Sequence, residues 1–250
     1  MFNIVFLCVA GFLAAFVDSI AGGGGLISVP AFMLAGLSPT YVLGTNKFSA
    51  TTASLTSSIK FITSKKVNFK ILKFLIPFTL IGAYLGVNTV LSIDEAILNV
   101  LVLVLILFIG IYSLFSKSLG LTNNFKGINK KNMSLGILLA FSLGFYDGFF
   151  GPGTGSFLIF GFINIFGYDF VNASGNARIL NFVSNISSLV LFAIHGRIFY
   201  AYAIPVAIFM ILGAQFGTKV ALKKGSKLIK PIFITMSLAV AGKMVFKLFT

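Results

Sequence analysis

Reactive and charged side chains are scarce in this sequence. Its 250 residues include one Cys, one His and five acidic residues, and they contain no HExxH, GxSxG or Cys/His metal-binding pattern. Only 10% of the residues are charged, whereas soluble domains average about 25%. The single Cys8 cannot form an intrachain disulfide and is predicted to be a small buried side chain. These deficits argue against an enzyme, against a bound metal or other cofactor, and against a soluble globular domain.

Apolar residues dominate instead: 58% of the chain is hydrophobic and the mean hydropathy is +1.04. A helix needs about 20 apolar residues to cross a bilayer core of about 30 Å. The sequence therefore predicts an all-α polytopic membrane protein with about ten transmembrane segments. Because one run is short, eight segments plus two re-entrant hairpins are the alternative. The apolar runs lie at about 2–20, 26–43, 44–63, 70–90, 96–116, 133–150, 154–168, 174–195, 199–218 and 229–249.

The two halves of the sequence repeat one another. The segment IGAYLG at 81–86 recurs as LGAQFG at 212–217, which is 131 positions later. The same offset pairs Lys47 with Arg178. Earlier in each half, an offset of 129 pairs acidic and glycine residues, among them Asp18 with Asp147 and Gly22 with Gly151. Such self-similarity predicts an internal structural repeat. The predicted parts are a first transmembrane repeat at 1–116, a basic cytoplasmic linker at 117–132 and a second transmembrane repeat at 133–250.

Charge placement predicts that the second repeat is inverted. Lysines in short loops stay on the cytoplasmic side of the membrane. The acidic loop at Asp94 and Glu95 corresponds, in the second half, to a lysine-rich loop, so equivalent loops are predicted to face opposite sides in a five-plus-five arrangement. The net charge of +14 is then explained by membrane-flanking loops, with lipid headgroups rather than nucleic acid as the expected partner. The lysine clusters lie at 60–73, 117–131 and 219–230.

Two glycine-rich segments occupy matching positions in the halves. They are DSIAGGGGLISVP at 18–30 and YDGFFGPGTGSF at 146–157. Consecutive glycines interrupt a helix, and matching glycine-broken segments point to the midplane site of a transporter, where new helix N-termini attract anions. The alternative is that these glycines only permit close helix packing. The candidate substrate-binding glycines are Gly22, Gly23, Gly24, Gly25, Gly151, Gly153 and Gly155.

Four ionisable residues lie inside apolar runs, where each costs a few kcal/mol at mid-bilayer and should face a partner. We expect Asp18 to pair with Lys47, and Asp147 with Arg178. The functional hypothesis assigns Lys47 and Arg178 to a substrate anion and leaves the aspartates as proton carriers or anchors of the broken helices. The alternative is a pair of structural ion pairs. Polar neighbours in the same runs add Thr45, Asn46, Asn176 and Asn181 to the site, ranked above Ser57, Asn185 and Ser188.

These motifs resemble the TauE/SafE family of membrane transporters. The resemblance covers nearly the whole chain and is carried by Asp18 to Gly25, by GTNK at 44–47 and by Asp147 to Gly155. It implies transport of small, often sulfur-containing anions such as sulfite, sulfonates and sulfoacetate across the bacterial inner membrane. Many members carry a GTS-like second copy of the GTN segment, whereas this chain has Ser174 to Arg178, a departure that bears on the substrate.

Taken together, the sequence predicts a multi-pass secondary transporter for small anions that works by alternating access between two glycine-broken helices. An anion channel, and an intramembrane enzyme that uses Asp18 and Asp147, are the alternatives. Proton co-transport or counter-transport and a homodimer stay open, as do the substrate, the direction of flux and the coupling ion.

Overall fold

The computed structural model describes residues 2–115 and 122–224, which form α-helices joined by short loops and contain no strand. Four helical stretches in this part of the chain are long and apolar enough to cross a membrane: Asn3–Ala21, Phe69–Leu91, Phe170–Ile194 and Tyr200–Lys223. The predicted all-helical membrane fold is therefore confirmed. The predicted apolar run at 229–249 lies outside the described residues. The helices are α1 (Phe2–Ala21), α2 (Gly25–Leu34), α3 (Pro39–Thr63), α4 (Phe69–Leu91), α5 (Glu95–Phe115), α6 (Lys130–Phe149), α7 (Thr154–Phe166), α8 (Phe170–Ile194) and α9 (Tyr200–Lys224).

Two of the helices are much shorter than the rest. With 10 residues in α2 and 13 in α7, a rise of 1.5 Å per residue gives lengths of about 15 and about 20 Å. Neither helix can cross a hydrocarbon core of about 30 Å by itself. Both follow a glycine-rich segment, so they are half-length helices that begin inside the helix bundle.

The boundary predicted between the second and third apolar runs, at 43–44, is wrong. Helix α2 ends at Leu34, and α3 begins at Pro39 and continues without a break past Gly44. The turn between them is made by Gly36, whose φ of +88° suits glycine, and by Pro39 at the start of α3, where its missing N–H is no loss. Gly44 lies inside α3 rather than at a break. Glycine is needed there because a side chain would collide with the Arg197 carbonyl oxygen.

The repeated glycine segments pack helices against one another in two parallel pairs. In the α4/α6 pair, a Cβ added at Gly82 would lie 2.3 Å from the carbonyl oxygen of Phe141. In the α1/α9 pair, a Cβ added at Gly213 would lie 2.2 Å from the carbonyl oxygen of Phe12. Small residues that allow such backbone approach are typical of helix interfaces in membranes. The IGAYLG and LGAQFG segments therefore hold equivalent helix pairs together.

Helices α3 and α8 cross the centre of the bundle side by side and run antiparallel. The Ser58 hydroxyl donates to the Arg178 carbonyl at 3.1 Å, and the Lys47 ammonium donates to Asn185 Oδ1 at 3.1 Å. Residue numbers thus rise along α3 as they fall along α8. Both helices have 25 residues and carry the polar segments singled out in the sequence. The polar residues of the two halves therefore meet in the middle of the molecule.

The described lysine clusters share one end of the bundle, called here the lysine-rich end. Lys60 Nζ donates to the Gln215 carbonyl at 2.7 Å, and Gly175, near the start of α8, lies against the Lys66 carbonyl. The linker joins this end, because the Lys126 N–H donates to the Phe166 carbonyl, the last residue of α7, at 2.9 Å. Helix α7 therefore runs from the interior to the lysine-rich end.

The opposite end of the bundle carries the acidic loop between α4 and α5. Glu95, the first residue of α5, accepts hydrogen bonds from Thr40 at 2.7 Å and from Ser38 at 3.2 Å. These two residues stand at the start of α3, directly after α2 and its turn. Helix α2 therefore runs from the interior to this end, in the direction opposite to α7.

Candidate functional site

A cavity lies in the interior between the two half-length helices. It has a volume of about 40 Å³. A single water needs about 10–15 Å³ of such a cavity, so the cavity holds a few water-sized groups. Its walls come from α1, α2, α3, α6, α7, α8 and α9, and the lining residues are Ala14, Ala15, Asp18, Gly24, Gly25, Ser28, Asn46, Lys47, Ala50, Ala53, Asp147, Gly151, Gly153, Gly155, Asn181, Asn185 and Met210.

The Lys47 ammonium on α3 forms one wall of the cavity. It lies 2.8 Å from Asp147 Oδ2 on α6, and each of these side chains is only 3% exposed. Lys47 also donates to Asn185 on α8, and Asp147 Oδ2 accepts from the Ser184 hydroxyl at 2.6 Å. An ammonium group has three N–H donors. Two of them are used by described residues, so the third is available to a ligand.

The second buried base, Arg178 on α8, binds Asp18 on α1. Its Nη1 donates to the Asp18 carboxylate and its Nη2 to the Asp18 carbonyl, while its Nε has no partner among the described residues. The Arg178 side chain is 1% exposed and that of Asp18 is 25% exposed. The other carboxylate oxygen of Asp18 accepts from the Gly24 N–H at 3.0 Å, one residue before α2. Asp18 thus ties α8 to the start of α2.

Both ion pairs differ from the sequence prediction. Asp18 was expected to pair with Lys47 and Asp147 with Arg178, each within one half, but each pair instead joins one half to the other. The physical reason is the antiparallel contact of α3 and α8. It carries Lys47 toward α6 of the second half and Arg178 toward α1 of the first half. The two pairs therefore link the halves on both sides of the cavity.

The break between α1 and α2 is locked to the start of α7. Gly22 has a φ of +81°, and a Cβ there would lie 2.3 Å from the Ser156 nitrogen. The Ser156 N–H donates to the Gly22 carbonyl at 2.9 Å, and its hydroxyl donates to the Ala21 carbonyl at 2.7 Å. Only glycine meets both the left-handed conformation and the close approach.

The break between α6 and α7 is likewise formed by glycines in the left-handed conformation and held by side-chain hydrogen bonds to backbone carbonyls. Gly151 and Gly153 have φ values of +99° and +88°. The Tyr146 hydroxyl donates to the Pro152 carbonyl at 2.6 Å, and the Thr154 hydroxyl donates to the Gly151 carbonyl at 2.7 Å. The turn is therefore held in place rather than loose. It aims the first turn of α7 at the cavity, as the Gly24 turn aims the first turn of α2.

Five of the predicted site residues do not line the cavity. Thr45 accepts from the Phe199 N–H at 3.0 Å, and Asn176 accepts from the Asn68 N–H at 2.9 Å, so both hold loops at opposite ends of the bundle. Arg178 does not line the cavity but binds Asp18, which does, and Gly22 and Gly23 lie in the turn before α2. The other predicted residues, Asp18, Gly24, Gly25, Asn46, Lys47, Asp147, Gly151, Gly153, Gly155 and Asn181, all line it.

Two polar wall residues were ranked low or missed. Asn185, ranked below Asn176, binds Lys47 and lines the cavity, and the Ser28 hydroxyl donates to Asn46 Oδ1 at 2.6 Å. Asn185 could have been found from helical spacing, because Arg178, Asn181 and Asn185 recur every three or four residues on one face of α8. Ser28 lies in the glycine-rich segment at 18–30, one helical turn after Gly24, and this spacing could have marked it as a wall residue. No cluster of three His, Cys, Asp or Glu residues occurs in the described ranges.

Comparison with known proteins finds membrane transporters of similar sequence. The family model described as sulfite exporter TauE/SafE matches residues 7–244. A probable membrane transporter protein of Haemophilus influenzae is 38% identical over 97% of this chain and 94% of its own length. The probable membrane transporter protein YfcA of Escherichia coli is 36% identical, over 94% and 86%. ORF9 of a Sinorhizobium species, also a probable membrane transporter protein, is 34% identical, over 96% and 92%.

No solved structure matches the chain. The family match covers almost all of the sequence, and the similar proteins are named as membrane transporters rather than as enzymes. The prediction of a transporter instead of an enzyme is therefore confirmed, and the chain belongs to the TauE/SafE family of membrane transporters.

Proposed function

We propose that this chain is a secondary transporter that carries small anions by alternating access around the central cavity. The observation that carries the proposal is the wall of that cavity, where the buried Lys47 ammonium faces the first turns of α2 and α7. The helix dipole adds positive potential at the start of each helix, although the Gly24, Thr154 and Ser156 N–H groups already donate to Asp18, Gly151 and Gly22. Three sources of positive potential thus converge on one small space.

The other wall residues favour an oxyanion. Asn46, Asn181 and Asn185 offer amide N–H groups, which donate hydrogen bonds to oxygen atoms. A volume of about 40 Å³ suits a compact head group. Together with the family, these features support sulfur oxyanions, either sulfite itself or the sulfonate head of a molecule such as sulfoacetate.

The proposed architecture is an inverted repeat of long helices and two half-length helices; the last predicted segment, the run at 229–249, lies outside the described residues. This proposal is supported by contacts between the halves: each contact recurs when every residue is replaced by its equivalent in the other half. Gly44 meets the Arg197 carbonyl and Gly175 meets the Lys66 carbonyl, and the repeat equates these two contacts. The same exchange relates the two glycine-packed helix pairs and the two ion pairs. The division at 117–132 is part of this proposal.

The proposed orientation puts the lysine-rich end in the cytoplasm and the chain in the bacterial inner membrane as a multi-pass protein. Lysines in short loops stay on the cytoplasmic side, and the described lysine clusters share one end. In this orientation α7 runs from the cavity toward the cytoplasm and α2 toward the outside. Alternating access is proposed to occur by rocking of one half against the other, with the ion pairs as the contacts that change.

Uptake into proteoliposomes tests the proposed function. Radiolabelled sulfite, thiosulfate and a small sulfonate are offered to the wild type, to Lys47→Gln and to Arg178→Gln, each checked by size-exclusion chromatography for the wild-type elution. We expect saturable flux of at least one of these anions in the wild type, with loss of binding in Lys47→Gln because the cavity loses its cation. Arg178→Gln is expected to retain binding better, since Arg178 does not line the cavity.

The same assay separates the alternatives. Flux that rises linearly with concentration and carries single-channel current would identify an anion channel instead. The absence of flux for every sulfur anion, with the wild type folded, would overturn the anion assignment. Unchanged affinity in folded Lys47→Gln would remove Lys47 from the site.

A further inference from the structure

The charges around the cavity pose a problem for an anion. Its walls carry Lys47 together with two carboxylates, Asp18 and Asp147. Arg178, the other buried base among the described residues, is already bound to Asp18. An anion that binds Lys47 must therefore enter a space whose cation is balanced by Asp147 only 2.8 Å away. Without a compensating change, the anion and the Asp147 carboxylate would repel each other strongly at this depth.

The two carboxylates differ in how firmly they are held. Both oxygens of Asp18 carry a bond, one from Arg178 and one from the Gly24 N–H. Both bonds to the Asp147 carboxylate end on Oδ2, one from Lys47 and one from Ser184. Its Oδ1 has no partner among the described residues and lies beside the cavity turn at Gly151. Asp147 therefore has an oxygen that can accept a proton without breaking an existing bond.

Few charged residues of the described ranges lie near Asp147. Helix α3 contributes Lys47, α1 contributes Asp18 across the cavity, and α8 contributes Arg178, which Asp18 neutralises. Helices α2 and α7 contain no titratable side chain. On α4, which packs against α6, Ala83 lies opposite Gly148, and the lysines of α4 are at its far end. On α6 itself, the neighbouring Tyr146 hydroxyl is engaged by the Pro152 carbonyl.

We propose that Asp147 takes up one proton when an anion replaces it as the partner of Lys47, so that each anion is carried together with one proton. This inference rests on the proposed function. The proton comes from water on the side to which the cavity is open and binds Oδ1, while the ion pair between Lys47 and Asp147 is replaced by one between Lys47 and the anion. The added proton offsets one negative charge of the anion. Asp18 keeps its bonds to Arg178 and to the Gly24 N–H throughout, as the anchor of the start of α2.

Thiosulfate is the suitable probe because, unlike sulfite, it does not titrate in the neutral range. Its equilibrium binding to purified protein is measured between about pH 6 and about pH 8, and linkage predicts up to about tenfold tighter binding for each unit of pH lowered. In Asp147→Asn the affinity should no longer depend on pH. Asp18→Asn, the equivalent change in the other half, is the matched control and should retain the dependence.

A second measurement needs only the wild type. Adding thiosulfate to weakly buffered protein should remove about one proton from solution for each anion bound, read with a pH indicator. This count decides the question if Asp147→Asn does not fold. Binding that is independent of pH, with no proton uptake, would overturn the inference and leave the proposed function intact. No binding of thiosulfate by folded wild type at any pH, together with no flux of any sulfur anion, would overturn both.

Discussion

The two buried ion pairs occupy equivalent positions in the repeat, yet their environments differ. Lys47 and Asp147 are each 3% exposed and form a wall of the cavity, whereas Arg178 is 1% exposed and its partner Asp18 is 25% exposed. In the first pair both the cation and the carboxylate line the cavity. In the second pair only the carboxylate lines it, and the cation is buried behind it. One sequence pattern thus gives a ligand-facing pair on one side and an anchoring pair on the other.

The largest expected effect on stability comes from removing Lys47, the cation of the pair that lines the cavity. Lys47→Met leaves the Asp147 carboxylate buried without a counter-ion, so the free energy of unfolding should fall by about 3–5 kcal/mol. The measurement is unfolding of the purified protein in detergent by a graded denaturant. Adding Asp147→Asn to Lys47→Met should restore most of the loss, since no charge is then buried alone. A loss below about 1 kcal/mol for Lys47→Met would contradict the description of this ion pair as buried.

A smaller effect is expected from the equivalent change in the second pair. Arg178→Met leaves Asp18 partly exposed and still bound to the Gly24 N–H, and the Asp18 carbonyl still accepts from Gly22. The loss should be that of a hydrogen-bonded charged contact, about 1.5–3 kcal/mol. The same unfolding measurement applies. If Arg178→Met lowers the free energy of unfolding as much as Lys47→Met does, the difference in burial between the two pairs does not affect stability.

The smallest effect concerns the hydroxyl that supports Asp147. Ser184→Ala removes its hydrogen bond to Oδ2, and because Lys47 remains, we expect a loss of about 1 kcal/mol. Ser188→Ala is the matched control: it is buried on the same helix, but its hydroxyl donates to the Ser184 carbonyl rather than to a carboxylate. Its loss should be smaller, about 0.5 kcal/mol, because the Ser184 carbonyl that it leaves keeps its backbone hydrogen bond within the helix. Equal losses in both variants would indicate that Ser184 contributes packing alone.

The glycine segments and the buried charges could be predicted from sequence because each breaks a strong local rule. Four glycines after Asp18 cannot continue a helix, and a charge inside an apolar run must face a partner. Which partner it faces is a tertiary property. The repeat is equally compatible with Asp18 bound to Lys47 and with Asp18 bound to Arg178, and only the antiparallel contact of α3 with α8 decides between them.

The other differences have local causes. The turn at 35–38 was missed because hydrophobicity continues through it, although Gly36 followed by Pro39 is a recognisable end-and-start signal. Thr45 and Asn176 were placed at the site because they adjoin charged positions in the sequence. Their side chains instead accept from the loop N–H groups of Phe199 and Asn68, because on a helix a neighbour in sequence lies on a different face.

The opposed directions of α2 and α7 have a consequence for the direction of transport. Each half-length helix points its positive end at the cavity and its negative end away, one toward each end of the bundle. The two dipoles therefore add at the centre and oppose each other along the bundle axis. Under the proposed function, an anion meets a similar attraction from either end of the bundle, so the helices provide no rectification and the direction of flux is set by the ion gradients and by the surface potential of the lysine-rich end.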